Sequence, residues 1–333
     1  MKYIAPRWLP GGNLQTIWPA LYARKVVGAP PAYRRERWAT PDHDFIDVDW
    51  LVEDGPVVSN RTLLVQFHGL EGSSGSHYAL AFAEFARNHG MAYAVPHFRG
   101  CSGELNLGPR AYHSGDHEEI GWVLERFRTV HSGPIVAVGV SLGGNALLRW
   151  AQEAGSTAAQ TVSAVAAVSS PIDLAAGGHA IGRGFNRLVY TRMFLKTMKP
   201  KALRKLAQHP GLFDRDALLR ARDLYEFDNV FTAPLHGFKN TEDYWSRASA
   251  KPRLRHICIP ALVVNARNDP FVPAWCLPAQ TEVGAHVTLW QPAHGGHVGF
   301  AQGRPPGHVR SMPQAVGGWL LQNIDPSFAN THG

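Results

Sequence analysis

Gly139-Val140-Ser141-Leu142-Gly143 sets a serine between two glycines, after the apolar run PIVAV and before the helix-like run LGGNALLRWAQ. A serine in this G-x-S-x-G pattern, between a strand and a helix, sits on a sharp turn with its hydroxyl exposed for attack on an acyl carbonyl. Side chains at Gly139 and Gly143 would collide with the neighbouring strand and helix, and Gly144 adds to that close approach. A serine hydroxyl is a weak nucleophile at neutral pH. It needs a histidine to take its proton and a carboxylate to hold that histidine in the right tautomer. In such an elbow the acid follows the serine along the chain and the histidine follows the acid. Asp269 is the expected acid, because Asn268-Asp269-Pro270 closely follows the strand-like ALVV, whereas Asp223 and Asp243 fall in a region of different character. His297 is the expected base, in His294-Gly295-Gly296-His297, with His294 as its competitor. The tetrahedral intermediate also needs backbone donors for its oxyanion. These are expected at Leu142, just after the nucleophile, and at Leu70 in His68-Gly69-Leu70-Glu71-Gly72.

The other reactive side chains invite quieter roles. His68 reads as a structural hydrogen-bonding residue. His294 and His297 have a spacing that metal sites use, but no carboxylate or cysteine stands nearby at a matching interval, so no metal is expected. His113, Asp116 and His117 precede a helix-like stretch and read as caps. Cys101, in Arg99-Gly100-Cys101-Ser102-Gly103, reads as a small loop residue. No G-x-G-x-x-G or P-loop pattern occurs, and no nucleotide cofactor is implied.

The elements that must carry this chemistry follow an α/β rhythm. Short apolar runs at 62–67, 91–96, 134–140, 162–168, 261–265 and 287–290 read as buried strands, joined by two earlier antiparallel strands near 34–39 and 45–52. Amphipathic stretches at 78–88, 116–130, 142–154 and 313–324 read as helices. The expected architecture is one domain over 1–333, with a mostly parallel eight-stranded sheet flanked by helices. An irregular arm precedes it. The interval between the strand-like runs ending near Ser170 and starting at Ala261 far exceeds the roughly 10 to 15 residues that a crossover needs. A helical cap inserted over 172–256 is therefore expected.

Composition narrows the setting. Apolar residues are 45% of the 333 and charged ones 18%, enough to bury a core. Lys and Arg number 33 against 26 Asp and Glu, a net charge of +7. Much of the excess gathers between Phe185 and Leu206, which argues against nucleic acid and reads first as a solvated basic face on a cap helix. A lesser role for that face is weak peripheral contact with a membrane. Cys101, Cys258 and Cys276 are expected as free thiols. The first residues, broken by Pro6, Pro10, Gly11 and Gly12, lack a secretory apolar core, and a cytoplasmic location is the expectation.

Beyond these single features, the chain resembles the YheT-like branch of the α/β-hydrolases, related to medium-chain ester synthase/esterases. The resemblance runs over nearly its whole length. It rests on 7–16 (RWLPGGNLQT), His68 to Gly72, Phe98 to Cys101, Tyr112-His113, Gly139 to Asn145, Asn268 to Pro270 and Gly295 to Phe300. It implies an enzyme that hydrolyses carboxylic esters of short to medium acyl length, and with no cofactor motif in the sequence none is expected. Acyl transfer to an alcohol and a silent acyl-ligand binding module are the alternatives.

Overall fold

The computed structural model describes residues 2–52 and 60–324. Its centre is an eight-stranded sheet of β1 (Tyr33–Ala39), β2 (Phe45–Leu51), β3 (Leu63–Phe67), β4 (Ala92–Pro96), β5 (Ile135–Val140), β6 (Ala164–Val168), β7 (Ala261–Val264) and β8 (Val287–Trp290). The strands lie in the order β1-β2-β4-β3-β5-β6-β7-β8. β2 pairs antiparallel with both β1 and β4, and β3 to β8 run parallel. β3, β4, β5, β6 and β7 are buried along their whole length, as their continuous apolar runs require of strands covered on both faces.

Alternate side chains leave a strand on opposite faces, and each face builds its own core. Leu63, Val65, Ile135 and Ala137 face α3 (His117–Val130) and α4 (Leu142–Ala154) through Ile120, Phe127 and Leu147. Leu64, Val136 and Val138 face α2 (His77–Asn88) and a terminal helix, Ser311–Gln322, through Phe82, Phe85 and Val316. Asp116 caps α3 by accepting from the Glu119 N–H, as its position suggested.

Between β6 and β7 lie further helices, among them Leu174–Ile181, Arg192–Gln208 and Thr241–Ala248. Two wide π-type turns, Arg187–Thr191 and Asp228–Thr232, interrupt this stretch. The basic segment is helical, with Leu188 and Met193 exposed beside its cations. No described helix is long and apolar enough to cross a membrane. The expected irregular arm is corrected here, because Gly12–Leu21 forms a helix, α1. Its buried residues are Gln15, Thr16 and Pro19, so no apolar stripe announced it.

Candidate active site

The turn from β5 into α4 brings the serine into position. Ser141 adopts φ 53° and ψ −119°, a strained conformation for a residue with a Cβ. Its N–H is held by the Val168 carbonyl of β6. A Cβ on Gly139 would lie 2.4 Å from the Gly143 carbonyl oxygen, and one on Gly143 would lie 2.5 Å from that of His68. The two glycines are therefore demanded by backbone approach on either side of the serine. Ser141 begins α4 but its hydroxyl makes no capping bond, which leaves it free to face another partner.

That partner is His297. The Ser141 hydroxyl lies 3.0 Å from His297 Nε2, and His297 Nδ1 lies 2.9 Å from Asp269 Oδ2. With a carboxylate at Nδ1, the neutral ring carries its proton there and presents Nε2 as acceptor. The other carboxylate oxygen of Asp269 accepts from the N–H groups of Phe271 and Val272, which fixes its direction. Phe271 covers the imidazole, with ring centroids 4.1 Å apart. His294 is exposed and turned to Asn268, away from the serine. Asp223 and Asp243 cap inserted helices or pair locally.

The loop carrying His297 is fastened one peptide at a time. The N–H groups of Gly295, Gly296, His297 and Val298 donate in turn to Gln15 Oε1, Asn268 Oδ1, Thr16 Oγ1 and Ser169 Oγ. Gln15 Oε1 also accepts from Asn268 Nδ2, joining the acid's loop to the histidine's loop. Helix α1 thus spans both loops. A Cβ on Gly299 would fall 1.7 Å from the Gln15 carbonyl oxygen, and one on Gly12 would fall 1.9 Å from that of Asn268. These contacts explain a conspicuous stretch of the sequence, Gly12 to Thr16, whose role no local pattern disclosed.

Opposite the histidine, the loop after β3 offers a backbone donor. Gly69 N–H donates to the Tyr78 hydroxyl and Glu71 N–H to the Tyr112 hydroxyl. Leu70 N–H, between them, has no acceptor among the described residues, and neither has that of Leu142. Leu70 and Leu142 line the same cavity as Ser141 and His297. The cavity, of about 120 Å3, is walled by Leu174, Ile181, Phe194 and Leu224 of the inserted segment. A larger open cleft of about 570 Å3 among Arg110, Arg149, Arg247 and Arg253 holds none of these groups.

The remaining candidates keep structural roles. His68 is fully buried, accepts from the Phe98 N–H at Nε2 and is pushed down to about 3 by burial, so it stays neutral. Cys101 lies beside Lys201 and Tyr112, and burial pushes its thiol up to about 11, the reverse of an activated cysteine. His113 accepts from the Gly115 N–H and packs on His236.

Comparison with known proteins identifies the family and the fold. Residues 62–303 match the family described as alpha/beta hydrolase fold. The Escherichia coli (strain K12) protein named "Putative esterase YheT" is 39% identical over 305 residues, spanning 91% of this chain and 88% of that protein. A mouse protein named phospholipase ABHD3 is 31% identical, spanning 84% of this chain and 69% of its own. Among solved structures, Est1E from Butyrivibrio proteoclasticus superposes with a TM-score of 0.53 at 14% identity, over 89% of this chain and 99% of that one.

Proposed function

The chain belongs to the α/β-hydrolase family, in its YheT-like branch, and we propose that it is a serine-dependent carboxylic ester hydrolase acting on short- to medium-chain acyl esters. The observation that carries this reading is the unbroken row from Ser141 Oγ through His297 to Asp269, opening on an apolar cavity.

Ser141 Oγ attacks the ester carbonyl while His297 Nε2 removes its proton, and Asp269 stabilises the imidazolium that results. The carbonyl oxygen gains negative charge and receives the N–H groups of Leu70 and Leu142. Collapse expels the alcohol, which takes the proton from His297 and leaves an acyl-enzyme on Ser141. Water, deprotonated by His297, attacks this acyl group in turn. The tetrahedral adduct then releases the carboxylic acid and returns the proton to Ser141. Residues 172–256 act as a cap whose apolar side chains hold the acyl chain. The basic face around Arg187, Arg192 and Lys196 gives the cap a weak attraction for anionic membrane surfaces.

A fluorophosphonate probe tests the reading. It should label Ser141 in the folded protein, and Ser141→Ala should abolish both labelling and hydrolysis of p-nitrophenyl esters. Hydrolysis that persists in Ser141→Ala would remove the proposal.

A further inference from the structure

The cavity that holds Ser141 shares a wall with a second one, and the two lie as neighbouring arms on either side of it. One arm carries Ser141 and His297, and a second arm of about 70 Å3 is lined by Ala111, Tyr112, Phe227 and Phe231. Both arms are bounded by Leu70, Leu142, Met198, Asp228 and Tyr244. Asp228 therefore stands at the junction, in the company of the two proposed oxyanion donors.

An aspartate is out of keeping with these walls. It is half-buried by area and surrounded by closely packed protein. One carboxylate oxygen accepts from Thr232 Oγ1 at 2.7 Å and the other from Trp245 Nε1 at 2.9 Å. No cation pairs with it among the described residues. A carboxylate has about four acceptor sites, so roughly two stay unused. Burial raises its carboxyl to about 6, which still leaves it ionised at neutral pH. An enclosed, unpaired charge of this kind is expensive to keep.

The neighbouring cations do not relieve it. Lys201 Nζ donates to Glu71, Lys205 Nζ to the carbonyls of Asn106 and Gly108, and Arg99 to Asp42, Asp44 and Glu119. All three line the second arm with their charges already engaged, and the walls are otherwise largely apolar, so a neutral donor enters at a smaller desolvation cost than a further cation. The donor that fits Asp228 is a neutral one.

We propose that Asp228 accepts a hydrogen bond from a neutral hydroxyl carried by the substrate close to its scissile ester, so that hydroxylated esters are the preferred substrate class. The hydroxyl can belong to the alcohol half or to the acyl half. This inference rests on the Ser141 reading, and its test separates the two.

The test measures kcat/KM for ethyl butanoate, 2-hydroxyethyl butanoate, ethyl 3-hydroxybutanoate and the cationic 2-(dimethylamino)ethyl butanoate. The protein should favour at least one hydroxylated ester over ethyl butanoate by about tenfold or more, as befits a hydrogen bond to a charged acceptor. The identity of the favoured ester tells which half carries the hydroxyl. Asp228→Leu should bring that ratio close to unity. Asp228→Asn and the isosteric Thr232→Val should reduce it, and each ratio is internal to one protein. Ser141-dependent hydrolysis of ethyl butanoate with no preference for either hydroxylated ester would overturn the inference and leave the hydrolase intact. A preference for the cationic ester, or a hydroxyl preference that survives Asp228→Leu, would also overturn it. Failure of every ester to react, in the parent and in Ser141→Ala alike, would count against the hydrolase itself.

Discussion

Ser141 and Asp228 are both uncomfortable residues, and their discomfort has opposite physical origins. Ser141 is strained in its backbone, held by β6 on one side and by close glycine contacts on the other. Asp228 is strained electrostatically, since burial raises its carboxyl from 3.8 to about 6. A carboxyl raised in the folded state favours the protonated protein. Its contribution to stability is complete below the unfolded value near 4 and is lost as the pH rises through about 6. Replacing it with a neutral amide relieves the charge, so Asp228→Asn should be more stable than the parent near pH 8, by up to about 3 kcal/mol, and close to neutral near pH 4. Denaturant unfolding of both proteins at the two pH values checks this. Glu119, raised to about 7 by burial, titrates in both proteins and cancels in the difference, and Tyr244, which burial and then Asp228 raise well above its ordinary value, stays protonated at both pH values. A stabilising change that erodes substrate preference is the trade expected of a functional residue.

At the scale of elements, α1 links the acid loop to the histidine loop. Thr16→Val removes the acceptor for the His297 N–H while keeping the side-chain shape. It should lower kcat by about tenfold, the order of one hydrogen bond, with little change in KM. A steady-state comparison of the two constants decides this, since a merely structural loss would lower the active fraction without altering a rate normalised to labelled Ser141. Gly299→Ala places a methyl against the Gln15 carbonyl, and loss of several kcal/mol of stability is expected by chemical denaturation. Helix α1 also marks where sequence reading ended. The strands were legible because continuous β-branched runs such as those at Ile135 and Ala261 have few other solutions. The meeting of Ser141, Asp269 and His297 was legible because each lies in the turn or loop that follows a strand. Helix α1 was not, because the face it buries carries Gln15 and Thr16, chosen for hydrogen bonds to distant loops. Asp228 was equally silent. It lies in an inserted region with no strand to punctuate it, and its meaning comes only from the cavity it borders.

Across the whole molecule, the loops bearing Ser141, Asp269 and His297 follow strands of the sheet, and helices between β6 and β7 supply most of the apolar wall of the cavity. Under the proposed function, this division lets rigid strands fix the reacting atoms while the insertion sets what fits beside them. The net charge of +7, concentrated around Arg187, Arg192 and Lys196 beside exposed Leu188 and Met193, adds a third property. Vesicles containing anionic lipid should co-sediment a fraction of the protein at low salt, whereas zwitterionic vesicles should not, and added salt should release it. Equal binding to both kinds of vesicle would contradict the electrostatic account. The central claim concerns Ser141, and its most direct test is to trap the acyl-enzyme. Rapid acid quench after mixing with p-nitrophenyl butanoate, followed by peptide mass spectrometry, should find one butanoyl group on the peptide bearing Ser141, formed with a stoichiometric burst of p-nitrophenol. Turnover of p-nitrophenyl butanoate without a burst and without an acyl adduct on Ser141 would contradict the account.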